Sequence, residues 1–254
     1  PGKSGGPYTY AREGFGDYVG FLVAWGYWIA VWVTMATLAI AIVSALSVFF
    51  PALNQQPWMA VSLGLGFVWL LTWVNSMGVR TSGKVQVLTT VLKILPLAVI
   101  IAGGFFFFSP ENFIPFNASD QDPISAVAIT GTLTLYAFLG LESATVPTED
   151  IKQPEKTIPR ATMAGTVITT AVYILSTVVI MGMIPLDVLS KSTAPFADAM
   201  RVMSGPMGEG FVAAGVAIAT FGALNGWILI QSQIAQATAK DRLFPRVFNR
   251  ENRH

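Results

Sequence analysis

The sequence predicts an all-α protein in which several helices cross a membrane. Hydrophobic residues make up 53% of the chain and charged residues only 11%, whereas a soluble domain carries about 25% charged residues. No Asp, Glu, Lys or Arg occurs at positions 18–79, 161–186 or 210–239. Each of these stretches can contain the roughly 20 consecutive apolar residues with which a helix crosses a bilayer. The low charge and its uneven placement together indicate a polytopic membrane helix bundle.

Six spans are predicted, at about 19–50, 58–75, 85–108, 124–146, 161–184 and 210–238. Helices are expected because lipid offers no partner for open backbone groups, and because the runs lack the alternation of transmembrane β-strands. A short interfacial helix is predicted at 194–204. The Gly-rich stretch 1–18 and the charged stretches 80–84 and 147–160 are predicted to be loops. The six spans are expected to form a single transmembrane domain.

The basic residues indicate which side of the membrane each loop faces. Twelve of the 15 Lys and Arg lie in one alternate set of loops, which includes both ends of the chain. Cytoplasmic loops carry an excess of Lys and Arg, so both ends are predicted to face the cytoplasm, in the inner (cytoplasmic) membrane of the cell. The chain does not begin with Met and ends in the polar run RVFNRENRH. We therefore expect a fragment, with further N- and C-terminal parts of a longer transmembrane protein.

The residue inventory argues against several kinds of chemistry. The chain has no cysteine and a single histidine, His254. Disulfides, thiolate metal sites, cysteine nucleophiles and histidine-based triads therefore need residues that the chain lacks. Only one carboxylate lies at membrane depth. We expect no enzyme activity, no metal, no cofactor and no nucleic-acid partner.

Glu142 is the carboxylate at membrane depth, and its setting suggests a functional role. A charged side chain near the bilayer centre costs about 2.5–3.5 kcal/mol on insertion scales. Gly140 weakens the helix just before Glu142, while Ser143 and Thr145 can form hydrogen bonds with freed backbone groups. Transporters bind their substrates at such helix breaks. The simpler alternative is that Glu142 lies near the cytoplasmic end of its helix and reaches water.

Lys93 and Trp227 are two further candidates within the spans. Lys93 is functional or, alternatively, extends its ammonium group to the membrane interface. Trp227 lies in the middle of the last span, just after Gly222, Asn225 and Gly226. Small residues permit close approach of helices, and an indole in a pathway can close over a substrate or hold a cation. The alternative for Trp227 is ordinary packing.

Six stretches of the sequence resemble one known family. They are GGPYTYAREGFG, TLYAFLGLESATVPTEDIKQPEKTIPRAT, IMGMIP, STAPFADA, FGALNGW and AKDRLFP. They resemble the amino acid–polyamine–organocation superfamily, and most closely its basic amino acid/polyamine antiporters, such as bacterial arginine/agmatine and putrescine/ornithine exchangers. The resemblance covers essentially the whole chain, in order. It implies a fold of twelve spans built on an inverted repeat of five plus five helices, in which this chain supplies the third to eighth spans.

The resemblance also implies roles for residues around Glu142. The matching glutamate of the family lies just inside the central site and is implicated in substrate-linked proton chemistry. Tyr27 matches a tyrosine that closes around that site, and Trp227 matches a gate tryptophan. Tyr136 takes the place of a tryptophan that stacks on the substrate in the arginine exchanger. The backbone that would meet the substrate lies around Ala137, Leu139 and Gly140.

Two positions depart from the arginine exchanger. Met35 stands where that exchanger has an asparagine that contacts the substrate, so the resemblance does not single out arginine. Lys93 is absent from that exchanger but resembles the lysine of proton-coupled members, whose ammonium group takes the place of a sodium ion. The resemblance therefore favours Lys93 and Glu142 as coupling residues and shifts the expectation towards proton coupling.

The sequence as a whole predicts a secondary active amino acid transporter that works by alternating access and is coupled to protons. The expected partners are an amino acid or amine substrate, protons and the lipid bilayer, and a homodimer is left open. The first alternative is exchange of a cationic amino acid for its decarboxylated amine without net proton movement. A channel is a more remote alternative, because one carboxylate beside bulky aromatic residues fits a gate better than a pore lined by polar groups.

Overall fold

The computed structural model describes residues 5–115, 117–119, 121–135, 138, 140–146, 151–192, 194–205 and 207–249. Regular secondary structure in this part of the chain is helical, which confirms the predicted all-α class. The α-helices, in chain order, are α1 (Pro7–Phe15), α2 (Asp17–Ser47), α3 (Ala52–Gln55), α4 (Pro57–Ser76), α5 (Val79–Gly104), α6 (Pro123–Leu135), α7 (Pro154–Met183), α8 (Leu186–Leu189), α9 (Pro195–Ser204) and α10 (Met207–Lys240). Short 3₁₀ turns cover Phe105–Phe107, Pro110–Phe113, Leu141–Thr145 and Arg246–Asn249.

Five of the helical segments are long and apolar enough to cross a membrane. Among the described residues they are Asp17–Ser47, Pro57–Ser76, Arg80–Phe107, Pro154–Met183 and Met207–Lys240. The remaining predicted span, at 124–146, begins as the shorter helix α6 and contains a separate 3₁₀ turn near its end. The division into six spans stays a prediction, while the polytopic helical architecture agrees with the sequence.

Three stretches that the sequence predicts as loops are partly helical. Residues 1–18 contain α1, which has Pro7 in its first turn and stops at Gly16, where φ is +89°. Proline suits the first turn of a helix, and glycine readily adopts positive φ at the end of one. The charged stretches 80–84 and 147–160 enter helices that begin at Val79 and Pro154. Charged residues can occupy the first turns of a helix, and here both helices begin before their apolar segments.

The first of two compact units comprises Pro1–Ile94, Glu142–Thr162 and Ala213–His254. One apolar cluster in this unit joins α2, α4 and α10 through Ala39, Ile42, Leu71, Leu224 and Ile228. A second cluster joins α1, α2 and the end of α10 through Tyr8, Ala24, Ala235, Ala239 and Phe244. Both clusters bury side chains of α2 and α10, so these two helices are held together.

The second compact unit comprises Leu95–Leu141 and Met163–Val212. Its apolar cluster consists of Ile100, Val179, Ile180, Met183, Ile184, Ala199, Met200 and Val212. The carbonyl of Gly182 accepts hydrogen bonds from the backbone N–H of Ser109, at 2.8 Å, and from Nδ2 of Asn112, at 2.7 Å. Helix α9 agrees with the short helix predicted at 194–204.

Candidate functional site

The contact at the centre of the candidate site joins Tyr27 on α2 to Glu142. The Tyr27 hydroxyl donates a hydrogen bond of 3.1 Å to Oε1 of Glu142. Both side chains are half-buried. Because the two residues are 115 positions apart in the chain, the folded arrangement of α2 and the Glu142 segment creates this contact. The phenol holds the carboxylate in a defined orientation.

Glu142 lies just beyond a break in the helix that the sequence predicts at 124–146. Helix α6 ends at Leu135. Gly140 has φ of +102°, which a regular α-helix cannot contain. A 3₁₀ turn covers Leu141–Thr145, in which Oγ1 of Thr145 donates a 2.7 Å hydrogen bond to the carbonyl of Glu142. Thr145 therefore satisfies a backbone group of the turn, as the sequence predicts. Three predicted substrate-contacting residues, Tyr136, Ala137 and Leu139, lie outside the described residues.

Trp227 on α10 also approaches Tyr27. The centroids of the two rings are 6.4 Å apart and their planes are tilted by 48°. Trp227 is half-buried. Tyr27 thus contacts both the predicted coupling residue, Glu142, and the predicted gate residue, Trp227. The structure brings these three sequence-predicted residues together.

Met35 and Lys93 lie elsewhere in the same unit. Met35 is two turns along α2 from Tyr27 and packs against the apolar cluster that contains Leu224. Lys93 is half-buried on α5. Within the described part of the chain, the structure does not bring Lys93 into an ion pair or hydrogen bond with Glu142. A direct link between these two residues is therefore absent from this conformation.

A buried polar network, absent from the predictions made from the sequence, connects α4, α5 and α10. Asn225 is fully buried and donates through Nδ2 to the carbonyl of Ser82, at 3.1 Å, and to Oε1 of Gln86, at 3.3 Å. Its Oδ1 accepts hydrogen bonds from Nδ2 of Asn75, at 3.1 Å, and from Oγ of Ser82, at 3.3 Å. In this way, one amide on α10 links polar groups of two other helices, two residues before the gate candidate Trp227.

A signal for this network is present in the sequence of α5. Ser82, Gln86, Thr89 and Lys93 follow one another at spacings of four, three and four residues. Such spacing places side chains on one face of a helix. Thr89 packs where Gly222 of α10 lacks a side chain. A search for polar residues at helical spacing within the apolar spans would have found this stripe.

The geometry indicates what the candidate site can do chemically. A carboxylate can carry a proton or attract a cation, and a phenol can hold that carboxylate while an indole ring packs beside it. In the described part of the chain, no group of three or more His, Asp or Glu is placed to hold a metal ion. The side chains present suit recognition and gating of a small polar molecule.

Comparison with known proteins identifies the family of the chain. A family model described as amino acid permease matches residues 1–254. The chain is 34% identical over 250 residues to the cadaverine/lysine antiporter of Escherichia coli (strain K12). The aligned region covers 97% of the chain and 55% of that antiporter. It is 29% identical over 262 residues to an E. coli K12 protein provisionally named an arginine/ornithine antiporter. That aligned region covers 99% of the chain and 57% of the E. coli protein.

The chain therefore spans just over half the length of these relatives. The match nonetheless includes every residue of the chain, and the helical, membrane-crossing architecture is the one that the resembling motifs imply. The chain belongs to the amino acid permease family, within the amino acid–polyamine–organocation superfamily.

Proposed function

We propose that the protein carrying this chain is a secondary active amino acid transporter that works by alternating access. The observation that carries the proposal is the hydrogen bond between Tyr27 and Glu142, directly after a helix break. A single carboxylate at membrane depth, held at such a break, is typical of a substrate site in a transporter that alternates between outward-facing and inward-facing states. Membership of the amino acid permease family supports an amino acid as the substrate class.

In this proposal, Glu142 and Lys93 change protonation or partners between the outward-facing and inward-facing states. Tyr27 and Trp227 close over the substrate. By the resemblance to the family, the backbone at Gly140 and the residues Tyr136, Ala137 and Leu139 take part in substrate binding, and Met35 lines the site. We place the protein in the inner (cytoplasmic) membrane with both ends of the chain in the cytoplasm, because Lys and Arg are concentrated on that side.

A second candidate function is exchange of a cationic amino acid for its decarboxylated amine. The similarity to the cadaverine/lysine antiporter of E. coli favours this candidate. Glu142 would then attract the ammonium group of the substrate, with Tyr27 and Trp227 packed against the aliphatic part. The two candidates differ in whether uptake of the amino acid is coupled to export of an amine or to entry of a proton.

Uptake into proteoliposomes that contain the full-length protein tests both candidates. Vesicles are either empty or preloaded with cadaverine, with and without an inwardly directed proton gradient, and radiolabelled lysine is added outside. Uptake that requires internal cadaverine supports exchange, whereas uptake into empty vesicles driven by the proton gradient supports symport. Absence of saturable uptake, when lysine is replaced in turn by each of the other amino acids, would contradict the proposed transport function.

A further inference from the structure

Two segments outside the proposed site contact each other. One is the segment that forms α1, and the other follows the end of α10. The hydroxyl of Tyr8 donates a 2.8 Å hydrogen bond to Oδ2 of Asp241. Nη1 of Arg12 lies 2.5 Å from the same oxygen, and its Nε lies 2.6 Å from Oδ1 of Asp17. Asp241 therefore accepts two contacts from one face of α1.

The Tyr8 phenol acts as a neutral donor in this cluster. Its side chain is almost completely buried, at 2% exposure. Burial, together with the hydrogen bond to Asp241, holds the pKa of Tyr8 well above its ordinary value. The phenol therefore keeps its proton and can donate it in the hydrogen bond to Asp241.

The end of α10 is built so that Asp241 is presented to α1. The helix closes with hydrogen bonds from the backbone N–H of Arg242 to the carbonyl of Ala239 and from that of Leu243 to the carbonyl of Thr238. Arg242 adopts φ of +64°. These are the features of a Schellman ending, which turns the chain back towards the bundle. Phe244 then packs in the same apolar cluster as Tyr8.

The two glycines just before α1 contact the end of the turn that contains Glu142. The backbone N–H of Gly5 donates a 3.1 Å hydrogen bond to the carbonyl of Val146, whose side chain is fully buried. A Cβ atom at Gly6 would lie 2.8 Å from Oγ1 of Thr145, and Gly6 has φ of +50°. Only glycine fits this close approach without strain. Thr145 in turn donates to the carbonyl of Glu142.

We propose that α1 is a positioning element for Glu142, in which Tyr8, Arg12 and Asp241 fix the helix while Gly5 and Gly6 hold the turn that follows the carboxylate. The inference rests on the proposed function in so far as Glu142 serves transport. It adds a second link between the Glu142 turn and α10, the helix of Trp227. The first link is the Tyr27 side chain, and the second runs through α1.

Thiol labelling at Ser143 tests this inference without relying on transport. The chain contains no cysteine, so Ser143→Cys introduces one thiol next to Glu142. The labelled peptide is quantified by mass spectrometry in the full-length, purified protein. We expect Tyr8→Phe and Asp241→Asn each to raise the labelling rate by about tenfold, a factor that corresponds to about 1.4 kcal/mol. Tyr8→Phe keeps the aromatic ring and removes only the hydroxyl, so folded protein is expected.

Two further comparisons separate positioning from general loosening of the protein. Asp17→Asn removes the partner of Arg12 that lies at the start of α2, and labelling should then change by less than about twofold, since Asp17 is an exposed partner. Gly6→Ala perturbs α1 from its other end and should raise labelling as Tyr8→Phe does. Gly14→Ala is its control, because a Cβ at Gly14 meets no atom within 4 Å.

Unchanged labelling in Tyr8→Phe, Asp241→Asn and Gly6→Ala would overturn the inference. Equal increases in these variants and in Asp17→Asn and Gly14→Ala would overturn it too, because the effect would then not be specific to the contacts. Amino acid exchange by the same variants provides the link to function, with a lower maximal rate and an unchanged KM expected. If the wild-type protein transports no amino acid, the proposed function fails while the labelling result still decides whether α1 positions the turn.

Discussion

Tyr27 and Glu142 are joined by a hydrogen bond of 3.1 Å in which the phenol donates to the carboxylate. Tyr27 has Trp227 as its second neighbour, with ring centroids 6.4 Å apart. A change in the charge of Glu142 therefore alters the hydrogen bond of a residue that also touches the predicted gate. One side chain, Tyr27, thus connects Glu142 at the helix break with Trp227.

Tyr27→Phe should reduce transport about tenfold at saturating substrate. The substitution removes the hydrogen bond to Glu142 and keeps the ring that packs beside Trp227. A hydrogen bond to a charged group is worth about 1.5–3 kcal/mol, and about 1.4 kcal/mol corresponds to a factor of ten. Initial uptake rates in proteoliposomes give the measurement. Tyr18→Phe on the same helix is the matched control, because the Tyr18 side chain is 75% exposed.

Glu142→Gln should abolish the pH dependence of transport, provided that wild-type transport depends on pH. The amide keeps the shape of the side chain and an acceptor for the Tyr27 hydroxyl, but it cannot bind or release a proton. Rates between about pH 5 and 8, the range in which such coupling matters, provide the comparison with wild type. A variant that transports with the wild-type pH profile would exclude Glu142 as the coupling residue.

The apolar runs predicted most of the helices because a lipid-exposed face has few alternatives to hydrophobic residues. They did not predict α1, whose Tyr8 is buried among residues of α2, such as Ala24, and residues more than 200 positions away, such as Ala235 and Asp241. Likewise, Asn225 has no local feature that distinguishes it from other polar residues of the spans. The spacing of Ser82 and Gln86 marks a polar face of α5, but only the folded structure shows that Asn75 and Asn225 meet at that face. Glu142 was found because membrane depth makes a carboxylate conspicuous.

Asn225→Ala should lower the stability of the protein by about 1–3 kcal/mol, because the buried Ser82 and the half-buried Gln86 would lose their partner. Asn225 is fully buried, so water cannot replace the lost amide without rearrangement. The melting temperature in detergent is the readout. Asn54→Ala, at an exposed position of α3, should leave it nearly unchanged. Equal melting temperatures for wild type and Asn225→Ala would show that the network is energetically neutral.

Gly222→Ala and Gly66→Ala should have opposite effects on stability. A Cβ atom at Gly222 would overlap the Thr89 side chain, whereas one at Gly66 meets no atom within 4 Å. Overpacking costs about 1–3 kcal/mol, and alanine is favoured over glycine in a helix by about 1 kcal/mol. The same thermal assay compares both variants with wild type. Destabilisation by Gly66→Ala as large as that by Gly222→Ala would contradict the close packing of α5 on α10.

Asp122 should make the start of α6 dependent on pH. Its Oδ1 accepts hydrogen bonds from the backbone N–H groups of Ile124 and Ser125, each at 3.1 Å. Hydrogen bonds from Ser125, followed by that from Ile124, lower the pKa of Asp122 from its ordinary value. Because the folded pKa is depressed, the stabilisation is complete above the unfolded pKa of about 3.9 and is lost as the pH falls through the folded pKa.

The test of this prediction is amide hydrogen exchange in α6 as the pH is lowered from about 6 to 3, corrected for the intrinsic pH dependence of exchange. Protection of the first turn of α6 should decrease at the acid end in the wild-type protein. Asp122→Asn can still accept the same hydrogen bonds but does not titrate, so its protection should stay constant over this range. Parallel loss of protection in both proteins would assign the acid effect to another group.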